Sequence, residues 1–341
     1  MSERMTGNKP SVSIVIPTLN AGRTLPGCLE SIKRQQYEGP VEIVVADGGS
    51  TDDTLKVAEA HGCVVVDNPG RTGEAGKARG VKVASGEVIA LVDSDNILTG
   101  SDWLERMTAP FSDPDIAGSE PLEYEHRRTD PALTRYCALM GMNDPLCYFL
   151  KNYDRICTLS GRWTGLDIKT TDLGDYLEVR LESGALPTMG ANGFMVRRSL
   201  LESLEIGDYL FDIDVIHELV VRGHDRFAKV KTGIVHLYGQ GLATFARKQL
   251  RRARDFHYYR SLGMRSYPWS RMKKGGLVKF VVFCLLVFPL LLQSVRGYLK
   301  RKDPAWALHA PACLITFAVY GWGFLEGFVR PREQERNSWG Q

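Results

Sequence analysis

The chain has 341 residues, 44% hydrophobic and 24% charged, and its 43 Lys and Arg nearly balance 40 Asp and Glu. That is the make-up of a globular protein of one large domain or two moderate ones, and a net charge of +3 is too small to support a nucleic-acid partner. Seven cysteines without a Cys-x-x-Cys pair read as reduced thiols in a reducing compartment, and the polar residues 1–9 give no expectation of a secretory signal.

Residues 11–16 read as a strand ended by Pro17. Leu25, Cys28, Leu29 and Ile32 then recur at the spacing of one helix face. A second strand at 41–46 ends in Asp47-Gly48-Gly49-Ser50-Thr51-Asp52, a turn followed by a helix that stops near Gly62. A short strand at 63–66, a helix over 73–84 and a strand from Val88 follow. Strand and helix alternate with short connections, which predicts an α/β fold with a doubly wound, mostly parallel sheet. The strand ends at Thr18 and Asn20, at Asp47, and at Asp93 and Asp95 then share one edge of the sheet, where such folds bind ligands.

Asp93 and Asp95 follow the apolar run 88–92. On extended chain, side chains at i and i+2 leave on one side. Two carboxylates there repel unless a cation lies between them, and oxygen donors suit Mg²⁺ or Mn²⁺. The chain has neither the glycine fingerprint of dinucleotide oxidoreductases nor the Walker lysine motif, so those phosphate chemistries lack their usual cradles.

Ile16-Pro17-Thr18-Leu19-Asn20, residues 45–54, Gly76-Lys77-Ala78-Arg79-Gly80 and residues 84–95 resemble glycosyltransferase family 2, in that family's order and spacing. The likeness covers roughly residues 11–240. It implies a GT-A fold, a nucleotide-sugar donor, a divalent metal and inversion at the anomeric carbon. By the same resemblance Asp47 holds the nucleotide base, uracil through its N3–H, which makes a UDP-sugar the expected donor. Pro17, Thr18 and Asn20 line that pocket, Arg79 approaches the diphosphate, Asp93 contacts ribose or a metal-bound water, and Asp95 ligates the metal.

Residues 101–180 are less legible, although two short apolar helices around 136–140 and 146–150 are expected, with a strand within 115–124. The run 190–198 resembles the family's loop and strand ahead of its catalytic acid. Gly190, Asn192 and Gly193 are its sugar and acceptor loop, the glycines letting backbone approach the sugar. Counting back from Gly223 puts Asp212 on the family's base, with Asp214 as the alternative. His236, in an apolar strand-like run, stands where some relatives place a further metal ligand.

The C-terminal third changes character. Residues 241–274 form a basic juxtamembrane segment with interleaved aromatics, suited to anionic lipid headgroups. Residues 275–330 hold two apolar stretches of membrane-spanning length, with Trp306, Tyr320 and Trp322 as interface anchors. Two crossings would put the basic loop 296–303 on the far side, against the positive-inside rule, and a re-entrant or in-plane hairpin is the alternative. A disordered segment at 1–10 and a polar tail at 331–341 complete the expected organisation.

The expectation is thus an inverting, metal-dependent glycosyltransferase, membrane-associated with its catalytic domain on the cytoplasmic face. Its partners are a nucleotide-sugar donor, a lipid-linked or glycan acceptor hydroxyl and membrane lipids, and its cofactor is Mg²⁺ or Mn²⁺. Two alternatives stay open: a polyprenyl-phosphate glycosyltransferase, and a non-catalytic nucleotide-sugar binding module.

Overall fold

The first strand, β1 (Val12–Thr18), is buried at every position. A strand covered on both faces belongs inside a parallel sheet. In this computed structural model, which describes residues 9–268 and 274–329, β1 pairs in parallel with β2 (Val41–Asp47) on one side and β4 (Val88–Leu91) on the other. β3 (Val64–Asp67) extends the sheet beyond β2. Pro17, placed at the strand's end by the sequence, lies inside β1 opposite Ala46. The ladder to β4 has already stopped at Val15–Leu91, so its missing N–H leaves no gap there.

Helices α1 (Leu25–Lys33), α2 (Thr54–Ala60) and α3 (Gly73–Val83) join these strands. Leu25, Cys28, Leu29 and Ile32 all face the core, as their spacing predicts. Beyond β4 the sheet continues through β9 (Phe194–Arg197), β6 (Gly118–Glu125), β10 (Arg226–His236), β8 (Tyr176–Arg180) and β7 (Lys169–Asp172), while the short β5 (Asn96–Leu98) pairs with β10. β5, β8 and β9 run against the rest. The expected mixed, mostly parallel sheet is therefore present. The order reverses between β1 and β4, and ligand crevices form at such switch points.

The other helices of the sheet region are α4 (Trp103–Thr108), α5 (Ala132–Met140), α6 (Leu146–Leu150), α7 (Arg198–Ser203) and α8 (Asp212–Val221). Four more follow: α9 (Leu242–Ser261), α10 (Lys274–Leu286), α11 (Phe288–Lys300) and α12 (His309–Val329). Three of the C-terminal expectations change. The first apolar stretch is not one helix, because α10 and α11 meet at an angle of 97°. Pro289 cannot continue α10, since it lacks the N–H and its ring crowds the carbonyl four residues earlier. Trp306 and Tyr320 are no interface anchors. Trp306 is buried edge-on to Tyr136, and the Tyr320 hydroxyl donates to Asp144 at 2.5 Å. Only Trp322 of the three is exposed. The basic helix α9 spends much of its charge on the protein: Lys248 nears Asp95, Arg252 nears Asp144 and Arg254 pairs with Glu326 at 2.8 Å. All seven cysteines are unpaired thiols. The segment expected to be disordered lies, through residue 8, outside the described residues, as do residues 269–273 of the juxtamembrane segment and the polar tail at 331–341.

Candidate active site

β1, β2, β4, β6 and β10 point the same way, so the residues that follow or end them gather on one edge of the sheet. The loop that enters β9 and the first residue of α8 come to that edge as well. Together they wall a cavity of about 1180 Å³. Pro17, Asn20, Thr51, Asp52, Lys77, Asp93, Asp95, Asn192, Asp212 and His236 line it. Its far wall is built by α6, α9 and α12.

Asp212 opens α8, and its two oxygens meet the Lys77 ammonium at 2.7 and 2.9 Å. Burial pushes the Asp212 carboxyl up to about 6, against the pull of Lys77 and with help from the nearby Asp93 and Glu74 charges. Lys77 is held protonated by the same pair. Asp214 points elsewhere. Its carboxylate accepts from Arg265 at 2.7 Å and from the Tyr267 backbone N–H at 2.7 Å, and it does not line the cavity. Two residues along a helix face different ways, and of the two acids Asp212 alone lines the cavity.

Asp93 and Asp95 are not on extended chain. β4 ends at Leu91, and the Asn96 N–H closes a turn onto the Asp93 carbonyl at 2.9 Å. The turn takes Asp93 and Asp95 off the extended geometry that would put them on one side, and the two carboxylates take different partners. Asp93 acts electrostatically on Lys77 and Asp212. Asp95 stands 3.4 Å from His236 Nε2 and 3.7 Å from Lys248 Nζ. Burial works to raise the Asp95 carboxyl, but His236 and Lys248 hold it down to about 2. His236 Nδ1 lies 3.1 Å from the Asn143 amide, which fixes the ring with Nε2 toward Asp95. One carboxylate and one imidazole are donor types that would suit a divalent cation. No group of three such side chains comes together as a ready ligand set among the described residues, so Asp93 is not drawn in with them.

Asp47 does not line the cavity. Its oxygens accept from Thr18 Oγ1 at 2.8 Å, Ser50 Oγ at 2.6 Å, and the backbone N–H groups of Gly49 and Ser50 at 2.9 and 2.8 Å. Asp47 and Thr18 thus shape the turn at 48–51 from behind, while Asn20, Thr51 and Asp52 present its surface. Asn20 Oδ1 accepts the Thr51 N–H at 2.8 Å, which joins the first two strand ends. Arg79 lies outside the cavity. It is exposed on α3 and its Nε donates to the Asp67 carbonyl at 3.3 Å. Two residues earlier, Lys77 takes the inward position.

The loop before β9 rests on buried charge. Glu120 accepts from Lys229 at 2.6 Å and from Arg155 at 2.6 Å, and its other oxygen holds the Gly190 N–H at 3.0 Å. Arg155 also pairs with Asp154 and donates to the Ala191 carbonyl at 3.2 Å. Asn192 donates to the Tyr124 hydroxyl at 3.0 Å and accepts from Asn96 at 3.0 Å. Asn192 thus stands at the cavity as expected. The two glycines flanking it are closely packed by neighbouring residues. Gly190 has φ +112, and a Cβ there would lie 2.8 Å from Asp212 Cβ. Gly193 has φ +88 and sits against Trp103 and Ile234.

The model of glycosyl transferase family 2 matches residues 13–204, more than half of the chain. The chain belongs to glycosyltransferase family 2. It is similar to a PGL/p-HBAD biosynthesis glycosyltransferase of Mycobacterium bovis, 39% identical over 110 residues, which are 29% of this chain and 41% of that one. It is also similar to the O-antigen chain rhamnosyltransferase RfbN of Salmonella typhimurium, 32% identical over 124 residues, 35% of this chain and 39% of the relative. The matches thus span less than half of these curated relatives. Among solved structures, the mannosyltransferase PcManGT of Pyrobaculum calidifontis, in complex with GDP-Man and Mn²⁺, shares the fold over 95% of this chain and 88% of its own at a TM-score of 0.52 and 16% identity. This family-2 glycosyltransferase therefore carries the expected GT-A fold, and as an enzyme it is a transferase.

Proposed function

We propose that the enzyme transfers a sugar from a nucleotide-sugar to a hydroxyl of a lipid-linked acceptor at a membrane surface, inverting the anomeric carbon. The observation that carries this reading is Asp212: a carboxylate at the cavity with an acidity near 6, ionised at neutral pH and close to the acidity expected of a working base. A carboxylate offers four lone-pair sites, so Asp212 can hold Lys77 and still accept the hydroxyl proton. Lys77 keeps it oriented. The nucleotide fits the arm formed by Pro17, Asn20, Thr51 and Asp52. Asp95 and His236 would hold Mn²⁺ or Mg²⁺, which would supply positive charge against that of the departing diphosphate. Leu146, Leu150, Leu277 and Phe324 give the opposite arm an apolar lining that suits an acceptor's hydrocarbon. An ionised acid poised at the cavity also argues against a mere binding module.

The test is turnover of UDP- and GDP-sugars by Asp212→Asn in native membranes. General-base catalysis contributes about 10²–10⁴-fold, so kcat should fall by that factor while donor affinity holds. A kcat within a few-fold of the wild type refutes a hydroxyl acceptor. One observation favours a second reading: Lys248, Arg251 and Arg252 of α9 line the same cavity. They suit a polyprenyl phosphate, which is already anionic and needs no base.

A further inference from the structure

We propose that α10, α11 and α12 form a seat that dips into one leaflet of an anionic bilayer, and that nothing between residues 274 and 329 crosses it. This rests on the membrane association proposed above and fixes its topology. α10 and α11 have 13 residues each. At about 1.5 Å per residue each is roughly 20 Å long, short of a hydrocarbon core of about 30 Å. Val287, at φ +58, turns the chain between them.

Both ends of this bent pair are fastened to the catalytic domain. Near the start, Gly276 packs on the Phe149 backbone so closely that a Cβ would lie 2.4 Å from its carbonyl oxygen, and Phe280 meets the Phe149 ring at 5.1 Å. At the end, Lys300 donates to the Leu159 carbonyl at 2.8 Å, and three residues later Asp303 pairs with Arg135 at 3.4 Å. A segment that leaves the domain and returns to it does not span.

α12, with 21 residues, is long enough to cross, but it is held along its length. His309 Nδ1 lies 3.0 Å from the Tyr136 hydroxyl near its start, Tyr320 binds Asp144, and Glu326 pairs with Arg254 near its end. The helix beneath it, α9, carries Arg247, Lys248, Arg251 and Arg252, and so many charges cannot be immersed in hydrocarbon alongside it.

What remains turned outward is apolar and basic. Leu285 is 68% exposed and Leu299 72%, with Leu286, Phe288 and Trp322 similarly bare. From Lys274 to Lys302 the chain has Lys279, Arg296, Lys300 and Arg301 and no acidic residue. A second copy would bring the same charge to the face. Anionic headgroups over acyl chains complement it. The basic connection at 296–303, which two crossings would put on the wrong side, then stays on the catalytic side.

The experiment uses the full-length chain carrying Lys302→Cys in sealed vesicles of phosphatidylcholine and phosphatidylglycerol, treated with a membrane-impermeant maleimide and mapped by peptide mass. Cys63, half-exposed on the catalytic domain, reports the fraction of chains facing out. Labelling of position 302 in proportion to Cys63 without detergent, and equally of a second variant, Ser338→Cys, beyond the far end of α12, is the expected result. Protection of position 338 until detergent is added means that α12 crosses and overturns the seat. Labelling of 302 only after detergent, with Cys63 already modified, overturns the one-leaflet seat and leaves membrane association standing. A chain that remains in the supernatant when the vesicles are floated overturns both.

Discussion

Lys77→Met removes the counter-charge of Asp212 and keeps the side chain's length. Unit charges 2.7 Å apart attract by about 6 kcal/mol at an effective dielectric near 20. Asp212 is still 27% exposed, so water screens the pair and only part of that attraction acts on the carboxyl. If about 1.4–2.7 kcal/mol survives, at about 1.4 kcal/mol per unit, the carboxyl rises by about one to two units from its present value near 6. Burial, Asp93 and Glu74 all push in that direction once Lys77 is gone. A base works only when ionised, so activity rises as pH climbs through the acidity of Asp212. The acid limb of kcat/KM should therefore move from about 6 to between about 7 and 8. At pH 6.5 the variant should lose roughly tenfold, and much of the loss should return at pH 9. Initial rates with saturating donor between pH 5 and 9 measure this. An acid limb that stays in place would show that Asp212 is not the group whose ionisation limits the reaction.

Asp95→Ala and His236→Ala should each weaken binding of Mn²⁺ with nucleoside diphosphate, read by calorimetry with and without the metal. Equal affinity in EDTA and in Mn²⁺ for the wild type would remove the cation from the account. Asp47→Ala leaves Gly49, Ser50 and Thr18 without their acceptor, and the turn should lose about 1–3 kcal/mol in urea unfolding together with nucleotide affinity. A normal unfolding curve with lost affinity would mean that Asp47 touches the base itself. Arg155→Met takes the guanidinium from buried Asp154 and leaves Glu120 with only the Lys229 ion pair, and breaking a buried pair costs about 3–5 kcal/mol. An unfolding midpoint unchanged in detergent would contradict the contacts drawn for Arg155.

The sheet from β1 to β4 was legible because its signals are local. Each strand is an apolar run with polar residues at its end, and each helix shows its own period. The preference for Asp212 over Asp214 rests on the family resemblance, counted back from Gly223, and in the structure Arg265 holds Asp214 away from the cavity. Lys77 carries no signal of its own in the sequence, although it stands inside Gly76-Lys77-Ala78-Arg79-Gly80. Its partner Asp212 is 135 residues away, and nothing nearby marks it as buried. The β7–β8 hairpin was missed because Lys169–Asp172 is polar and exposed throughout, with no alternation to detect. The charges of α9 read as a lipid-facing surface because Asp144 and Glu326, which neutralise two of them, lie far off in sequence.

The contact between Asp214 and residues 265–267 has a practical side. The strand of chain that leads from α9 toward α10 is tethered to the same helix turn that presents Asp212. Arg265 also lies over the Phe211 ring at 4.5 Å, immediately before that turn. Trimming the protein at the end of α9 to obtain a soluble enzyme would cut this tether and loosen the start of α8. A cut placed beyond Tyr267 removes the same three helices and spares it. Two truncations only a few residues apart should thus differ in activity far more than in solubility.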